Sequence, residues 1–309
     1  MNINRTNPDN WNKDIENSVA FYNNWFMNFA PQAFRNARKG AVANVKTALS
    51  QISSLCDLDD ELLIQRPTIL TVLRHMTCPP LASDRLAGLA RVPPSVINSF
   101  EVGKARESTR RMYAVKIMDV VRDLLDVDLF SWIDETRRPS ELQRELAAMV
   151  ISDRLCGTVT DPLIRNEQER RQIRAIVSFL SEMGYVEAKP KTYRDLKPGE
   201  YAIHLAIKVR VGTQQIKIPG DVSVQPRSGK QGDLPILIEA KSAGDFTNVN
   251  KRRKEEATKV RQLKESYGDA RFVLFLGGYF DSGYLGLAAA EGIDWVWEHR
   301  ISDMGKLGL

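Results

Sequence analysis

Two β-rich runs separated by a polar loop constrain this chain more than any other stretch. The first reads Ile216-Lys-Ile-Pro-Gly-Asp-Val-Ser-Val-Gln225 and the second Leu234-Pro-Ile-Leu-Ile-Glu-Ala-Lys-Ser-Ala243. The intervening Pro226 to Asp233 has the composition of a hairpin loop. Successive side chains of a strand point to opposite faces. Asp221 therefore shares a face with Ser223, opposite Val222 and Val224, while Glu239 and Lys241 share a face with Leu237, opposite Ile236, Ile238 and Ala240. An apolar strand thus carries an acid and an amine on one side, beside a strand carrying another acid. Burying an unpaired charge costs several kcal/mol, so these three groups are expected to meet one another, a metal ion or water.

Asp221, seventeen intervening residues and then Glu239-Ala240-Lys241 resembles the signature of the PD-(D/E)XK nuclease superfamily. The resemblance implies that Asp221 and Glu239 hold Mg²⁺ and that Lys241 positions or deprotonates the attacking water. The residue types suit that chemistry. Mg²⁺ takes hard oxygen ligands and keeps waters and substrate phosphate in its shell, and a nearby amine offsets charge developing on phosphorus. The residue before Asp221 is Gly220, with Pro219 one place earlier; that proline is the least informative position of the motif. Glu-x-Lys on a strand is also a common solvated edge, and Glu187-Ala188-Lys189 repeats the tripeptide without an apolar run or a strand-borne acid upstream. That copy reads as an ordinary strand end.

At 309 residues the chain is long enough for two domains, and its net charge of +5 leans towards an anionic partner. Cys56, Cys78 and Cys156 lie far apart, which suggests neither a disulfide framework nor a zinc site. Three histidines, His75, His204 and His299, do not readily build a histidine-metal cluster. No run approaches ~18 apolar residues, and Met1-Asn-Ile-Asn-Arg5 lacks a signal-peptide pattern. A cytoplasmic, bacterial-type soluble protein with no membrane partner is the expectation.

Residues 1–150 read as a helical domain. Trp11, Ile15, Val19, Tyr22, Phe26 and Phe29 recur at helical steps, and this aromatic stripe is expected to be core, in a helix that Pro31 ends. Residues 83–103 are the informative piece. Leu86, Ala87 and Ala90 make the inner face of one short helix, Val92 sits in a tight turn, and Ile97 and Phe100 face inward on a second helix opening at Pro94-Ser95. The pattern, with its Phe-Glu-x-Gly ending, resembles the helix-turn-helix of phage-repressor-type DNA-binding domains. That resemblance implies Ser95, Asn98 and Ser99 at the major groove and Lys104, Arg106, Arg110 and Arg111 on phosphates. A plain helical hairpin satisfies the same pattern.

Residues 151–309 read as an α/β (α+β) domain, a mixed β-sheet core flanked by helices. A helix opening at Asp161-Pro162 runs to Gly184, with Glu169 in phase with Ile173 and Ile176. Strands are expected over 185–189 and 201–211, then the two motif strands, then a crossover helix, a buried strand over 271–276 and a last one over 293–297. Lys251 to Lys264 holds seven bases against two acids. Such a run is ordinarily a solvated face; beside a phosphodiester-cutting site Lys251, Arg252 and Arg253 are expected to guide the DNA backbone.

Arg165-Asn-x-Gln-Glu-x-Arg-Gln172 ahead of the Gly-Asp…Glu-Ala-Lys core is similar to type II restriction endonucleases, most of all to the XamI-type family. The resemblance implies a Mg²⁺-dependent homodimer cutting double-stranded DNA at a short palindrome, with Glu169 as a further site acid. A repair or junction-resolving nuclease would share the core, and a non-cutting helix-turn-helix regulator would share the DNA-binding half.

Overall fold

The computed structural model describes residues 2–52, 58–132, 139–246 and 249–309, with only the backbone of 249–255. The described chain divides into two compact units, 31–163 and 1–30 with 164–309. The division expected near residue 150 thus falls at 163, and the first thirty residues belong with the sheet.

In the helical unit, α2 (Asp60–Gln65), α3 (Leu70–Leu73), α4 (Ser83–Ala90), α5 (Pro94–Glu101) and α6 (Glu107–Asp123) close over one core. Leu63, Leu70, Leu73, Met76, Leu86, Ile97, Phe100, Ile117 and Met118 are all buried there. Asp59 caps α2, accepting from the Leu62 amide at 2.9 Å, which satisfies one of the otherwise orphaned amides of the first turn. Arg91 ends α4 in the left-handed conformation, and Val92 tucks under the turn.

Two long helices run through both units, α1 (Trp11–Gln51) and α7 (Glu141–Glu182). Pro31 does not end α1, and Pro162 lies inside α7 instead of opening a helix. A proline removes one backbone bond and crowds the preceding turn, at about 3 kcal/mol, and burial on both sides outweighs that cost. Val45 and Ala48 are buried beyond Pro31, and Ile151 and Ile176 lie on either side of Pro162. Both prolines sit where the chain passes between units. The α1 aromatic stripe is mostly half-buried and Phe26 is exposed. Here the buried face is Asp14, Ser18 and Tyr22. Its polar members are satisfied, Asp14 by the Arg300 guanidinium and Ser18 by the carbonyl and amide of Gly278.

The second unit is built on a six-stranded sheet in sequential order: β1 (Val186–Glu187), β2 (Glu200–Val211), β3 (Gln214–Val224), β4 (Ile236–Ala243), β5 (Phe272–Gly278) and β6 (Asp294–Trp297). β2, β3 and β4 pair antiparallel; β1 joins β2, and β4, β5 and β6 join one another, in parallel. The crossovers from β4 to β5 and from β5 to β6 are made by α8 (Val249–Tyr267) and α9 (Ser282–Ala290). Val222, Val224, Ile236 and Ile238 form one face and pack with Ile173, Ile176 and Leu180 of α7. Leu237, Leu274 and Leu276 form the other, with Val260 and Leu263 of α8 and Leu285 of α9. Gly184 closes α7 at φ +77°, a left-handed cap that residues with a Cβ resist.

Candidate active site

β3 meets β4 only at Val222, Ser223 and Val224, paired with Ile238, Leu237 and Ile236. Pro219, which has no N–H to give, lies in the part of β3 paired with β2 alone. The register puts Asp221 and Glu239 next in line on one face, at the point where the pairing stops. Asp221 Oδ2 accepts the Ala240 amide at 2.8 Å, so a side chain takes over from the ladder there.

Glu239 is buried at 4% exposure. Its Oε1 receives Lys241 Nζ at 3.0 Å and Lys259 Nζ at 2.6 Å. Its Oε2 is buried and has no hydrogen-bond partner among the described residues. Lys241 also lies 3.7 Å from Glu256 of α8, whose other oxygen accepts the Tyr284 hydroxyl of α9 at 2.5 Å. The amphipathic phase of α8 carries Glu256 inward: it precedes buried Val260 by four residues and buried Leu263 by seven.

The charges in this cluster are out of balance. Burial, then the neighbouring Glu239 charge, pushes Asp221 above the usual carboxylate range, and Glu169 adds to the rise, against the Ala240 amide and Lys241. Burial likewise raises Glu256 despite the Tyr284 hydroxyl and Lys241. For Lys241, burial favours the neutral amine, but Glu239, Glu256 and Asp221 outweigh it and raise its pKa, so it carries its proton. Lys241 in this state is a cation and not a base.

Glu169 of α7 is exposed, while Gln168 and Gln172 are buried. Gln168 bonds the Ser242 hydroxyl, and Gln172 Nε2 donates to the carbonyls of Lys241 at 3.2 Å and Phe275 at 3.3 Å. These amides tie α7 to β4 and β5 and hold Glu169 over Asp221. Donor atoms of Glu169, Asp221 and His204 lie within 4.8 Å of one another. Asp221, Glu239, Glu169 and His204 are thus the residues here that could hold a divalent cation. An orphaned carboxylate oxygen beside Asp221 fits such an ion. Glu256, Lys259 and His204 were not singled out from the sequence as site residues.

The family model described as XamI restriction endonuclease matches residues 53–297. The chain belongs to that family. The chain is similar to the type II restriction enzyme SalI of Streptomyces albus G, at 43% identity over 99% of both chains. The type II restriction enzyme XamI of Xanthomonas campestris pv. amaranthicola is 25% identical over 65% of this chain and 68% of its own. A solved Vibrio cholerae protein, VC1899, aligns with 80% of this chain and 54% of its own at 12% identity, with a TM-score of 0.29. As a type II restriction endonuclease the enzyme is a site-specific deoxyribonuclease and a component of restriction-modification. No helix among the described residues is long and apolar enough to cross a membrane.

The other residues expected at DNA are spread over both units. In the helical unit Ser95, Asn98, Lys104 and Arg106 are exposed, and Ser99 is half-buried with its hydroxyl donated to the Val96 carbonyl at 2.7 Å. Arg110 and Arg111 are committed within the unit, to the Ile64 carbonyl at 2.5 Å and to Glu107 at 2.9 Å. The side chains of Lys251, Arg252 and Arg253 lie outside the described residues.

Proposed function

We propose that this restriction endonuclease cuts both strands of a short palindromic DNA sequence in the cytoplasm, as a homodimer, in a Mg²⁺-dependent reaction. The observation that carries the reading is the carboxylate pair at the end of the β3–β4 ladder, buried Glu239 and half-buried Asp221, with one Glu239 oxygen unpartnered among the described residues and the Asp221 pKa raised by burial and the neighbouring carboxylate. Asp221 and Glu239 are the cation's ligands, and Glu169 joins them from α7. Mg²⁺, when bound, supplies charge neutralisation at the scissile phosphate and a water of lowered pKa. Lys241, protonated and tethered to Glu239, stabilises negative charge at phosphorus and orients the attacking water. Lys259, the second ammonium on Glu239, holds that carboxylate while no cation is present and is free to turn to a phosphate when one arrives. The helical unit, residues 31–163, supplies recognition through α4 and α5, with Ser95, Asn98 and Ser99 towards base edges and Lys104 and Arg106 towards phosphates; the sheet unit supplies the nuclease. Lys251, Arg252 and Arg253 add backbone contacts.

Digestion of a plasmid with and without Mg²⁺, followed by sequencing of the ends, tests this. Discrete fragments ending at one palindrome, in Mg²⁺ only, are expected. Asp221→Ala and Lys241→Ala are expected to stop cutting while still shifting the DNA in a gel; parental turnover by either variant would overturn the site.

A further inference from the structure

We propose that His204 is a further metal ligand that, beside Glu169 and Asp221, adds a nitrogen donor to the carboxylate site and so raises its affinity for first-row transition ions such as Co²⁺ above what the carboxylates alone give. It rests on the reading of Asp221 as a metal ligand and adds to it a residue from a different strand. The β2–β3 ladder runs from Tyr201↔Val224 to Val211↔Gln214 in constant register, and its single gap falls where His204 would pair with Asp221. At that gap His204 has φ +54°, a left-handed backbone in the middle of a strand. Apart from Arg91, which ends a helix, it is the one described non-glycine residue with positive φ. Residues with a Cβ avoid that region, and such outliers persist where the surroundings demand them. What the departure achieves here is placement. An imidazole nitrogen, a Glu169 oxygen and an Asp221 oxygen come within 4.8 Å of one another, close enough to share one cation. The side chains of Glu169 and His204 have no hydrogen-bond or ion-pair partner among the described residues.

Ligand chemistry then names the ion. Carboxylates alone suit Mg²⁺, whereas an imidazole nitrogen suits the later divalent metals, whose affinity rises from Mn²⁺ through Co²⁺ to Ni²⁺. Co²⁺ is the probe of choice because its visible absorption responds to nitrogen ligation. Tag-free, metal-free enzyme is titrated with CoCl2 and with MgCl2 by calorimetry, without DNA. His204→Gly is the test variant, since glycine accepts the left-handed backbone and removes only the ring; His204→Asn, which also tolerates it, guards against a folding defect. Both are expected to lose at least about tenfold in Co²⁺ affinity, the low end of what even an outer-shell change costs, to shift the Co²⁺ spectrum, and to leave Mg²⁺ affinity nearly unchanged. Co²⁺ affinity and spectrum equal to the parent's in either folded variant would overturn the assignment. The two readings fail separately: parental cutting by Asp221→Ala removes the catalytic role of Asp221, whereas parental Co²⁺ binding by His204→Gly removes only the histidine.

Discussion

Two buried charge networks, one in each unit of this protein, are built in opposite ways. In the helical unit Asp126, 6% exposed, has both oxygens occupied: Oδ2 takes Arg154 Nη2 at 2.7 Å and Oδ1 takes the Leu129 amide at 3.2 Å. Arg154 in turn reaches the carbonyls of His75 and Thr77. Burial by itself would raise Asp126, but its partners win and hold it below the usual range. In the sheet unit two ammoniums crowd one Glu239 oxygen and leave the other bare, and Asp221 and Glu256 are pushed upward. The first network is complete without help. The second is left incomplete, and a divalent cation, as proposed above, would supply what it lacks. The contrast separates a structural charge pair from a site by the state of its partners, where burial alone would not.

The largest effect that can break this contrast is catalytic. Glu239→Gln keeps the shape of the side chain and removes the charge that holds Lys241, Lys259 and a cation. Cleavage is expected to fall by at least about 10³-fold with DNA binding retained, read by plasmid digestion and gel shift. Asp126→Asn, equally buried, is expected to cut at the parental rate below its melting temperature. If Asp126→Asn lost as much cutting as Glu239→Gln, the division between the two networks would be wrong.

How far the site was legible follows from where its residues sit. Asp221, Glu239 and Lys241 stand on strands whose strict two-residue alternation puts acids and amine on one face, and the β3–β4 register, ending at Val222 and Ile238, puts Asp221 and Glu239 next in line. The α4–α5 pair was legible for the same reason at helical period: Leu86, Ala87, Ala90, Val92, Ile97 and Phe100 are all buried as their spacing demands. Glu256 and Lys259 were hidden inside a run of charges that reads as a solvated face. The usable signal was phase, since Glu256 lies on the Val260–Leu263 side of the helix. Pro31 and Pro162 misled because a proline reports a local cost, while the helix is decided by packing on both sides of it. His204 gave no signal at all. Left-handed backbone at a residue other than glycine arises from tertiary demand, which no local pattern encodes.

A middle-sized effect tests the helical side of the comparison. Asp126→Asn leaves the Arg154 guanidinium with carbonyls alone. Breaking a buried pair costs about 3–5 kcal/mol, and Arg154 retains some solvent, so about 2 kcal/mol and a melting temperature lower by roughly 5 °C are expected. The sign with pH is fixed. The folded pKa is depressed, so the carboxylate's contribution is present above the unfolded value near 3.8 and is lost as pH falls through the folded one. The gap in melting temperature between parent and variant should therefore be full at neutral pH and close only below about pH 3.8.

The smallest effect has the opposite sign and sharpens the comparison most. The folded pKa of Asp221 is raised, so its ionised form costs stability at neutral pH, and that cost is relieved as pH falls through the folded value towards 3.8. Asp221→Asn removes the charge and keeps an oxygen able to accept the Ala240 amide, while Lys241 retains Glu239 and Glu256. In EDTA near neutral pH the variant should melt about 1–3 °C above the parent, the stabilisation typical of relieving strain at a functional site. The gain should shrink as the solution is acidified towards pH 4. Adding Mg²⁺ should reverse the order, because an ion that binds only the folded parent raises its stability by mass action. A variant that melts below the parent in EDTA would mean that Asp221 is already satisfied, as Asp126 is, and that the imbalance read into the sheet unit does not exist.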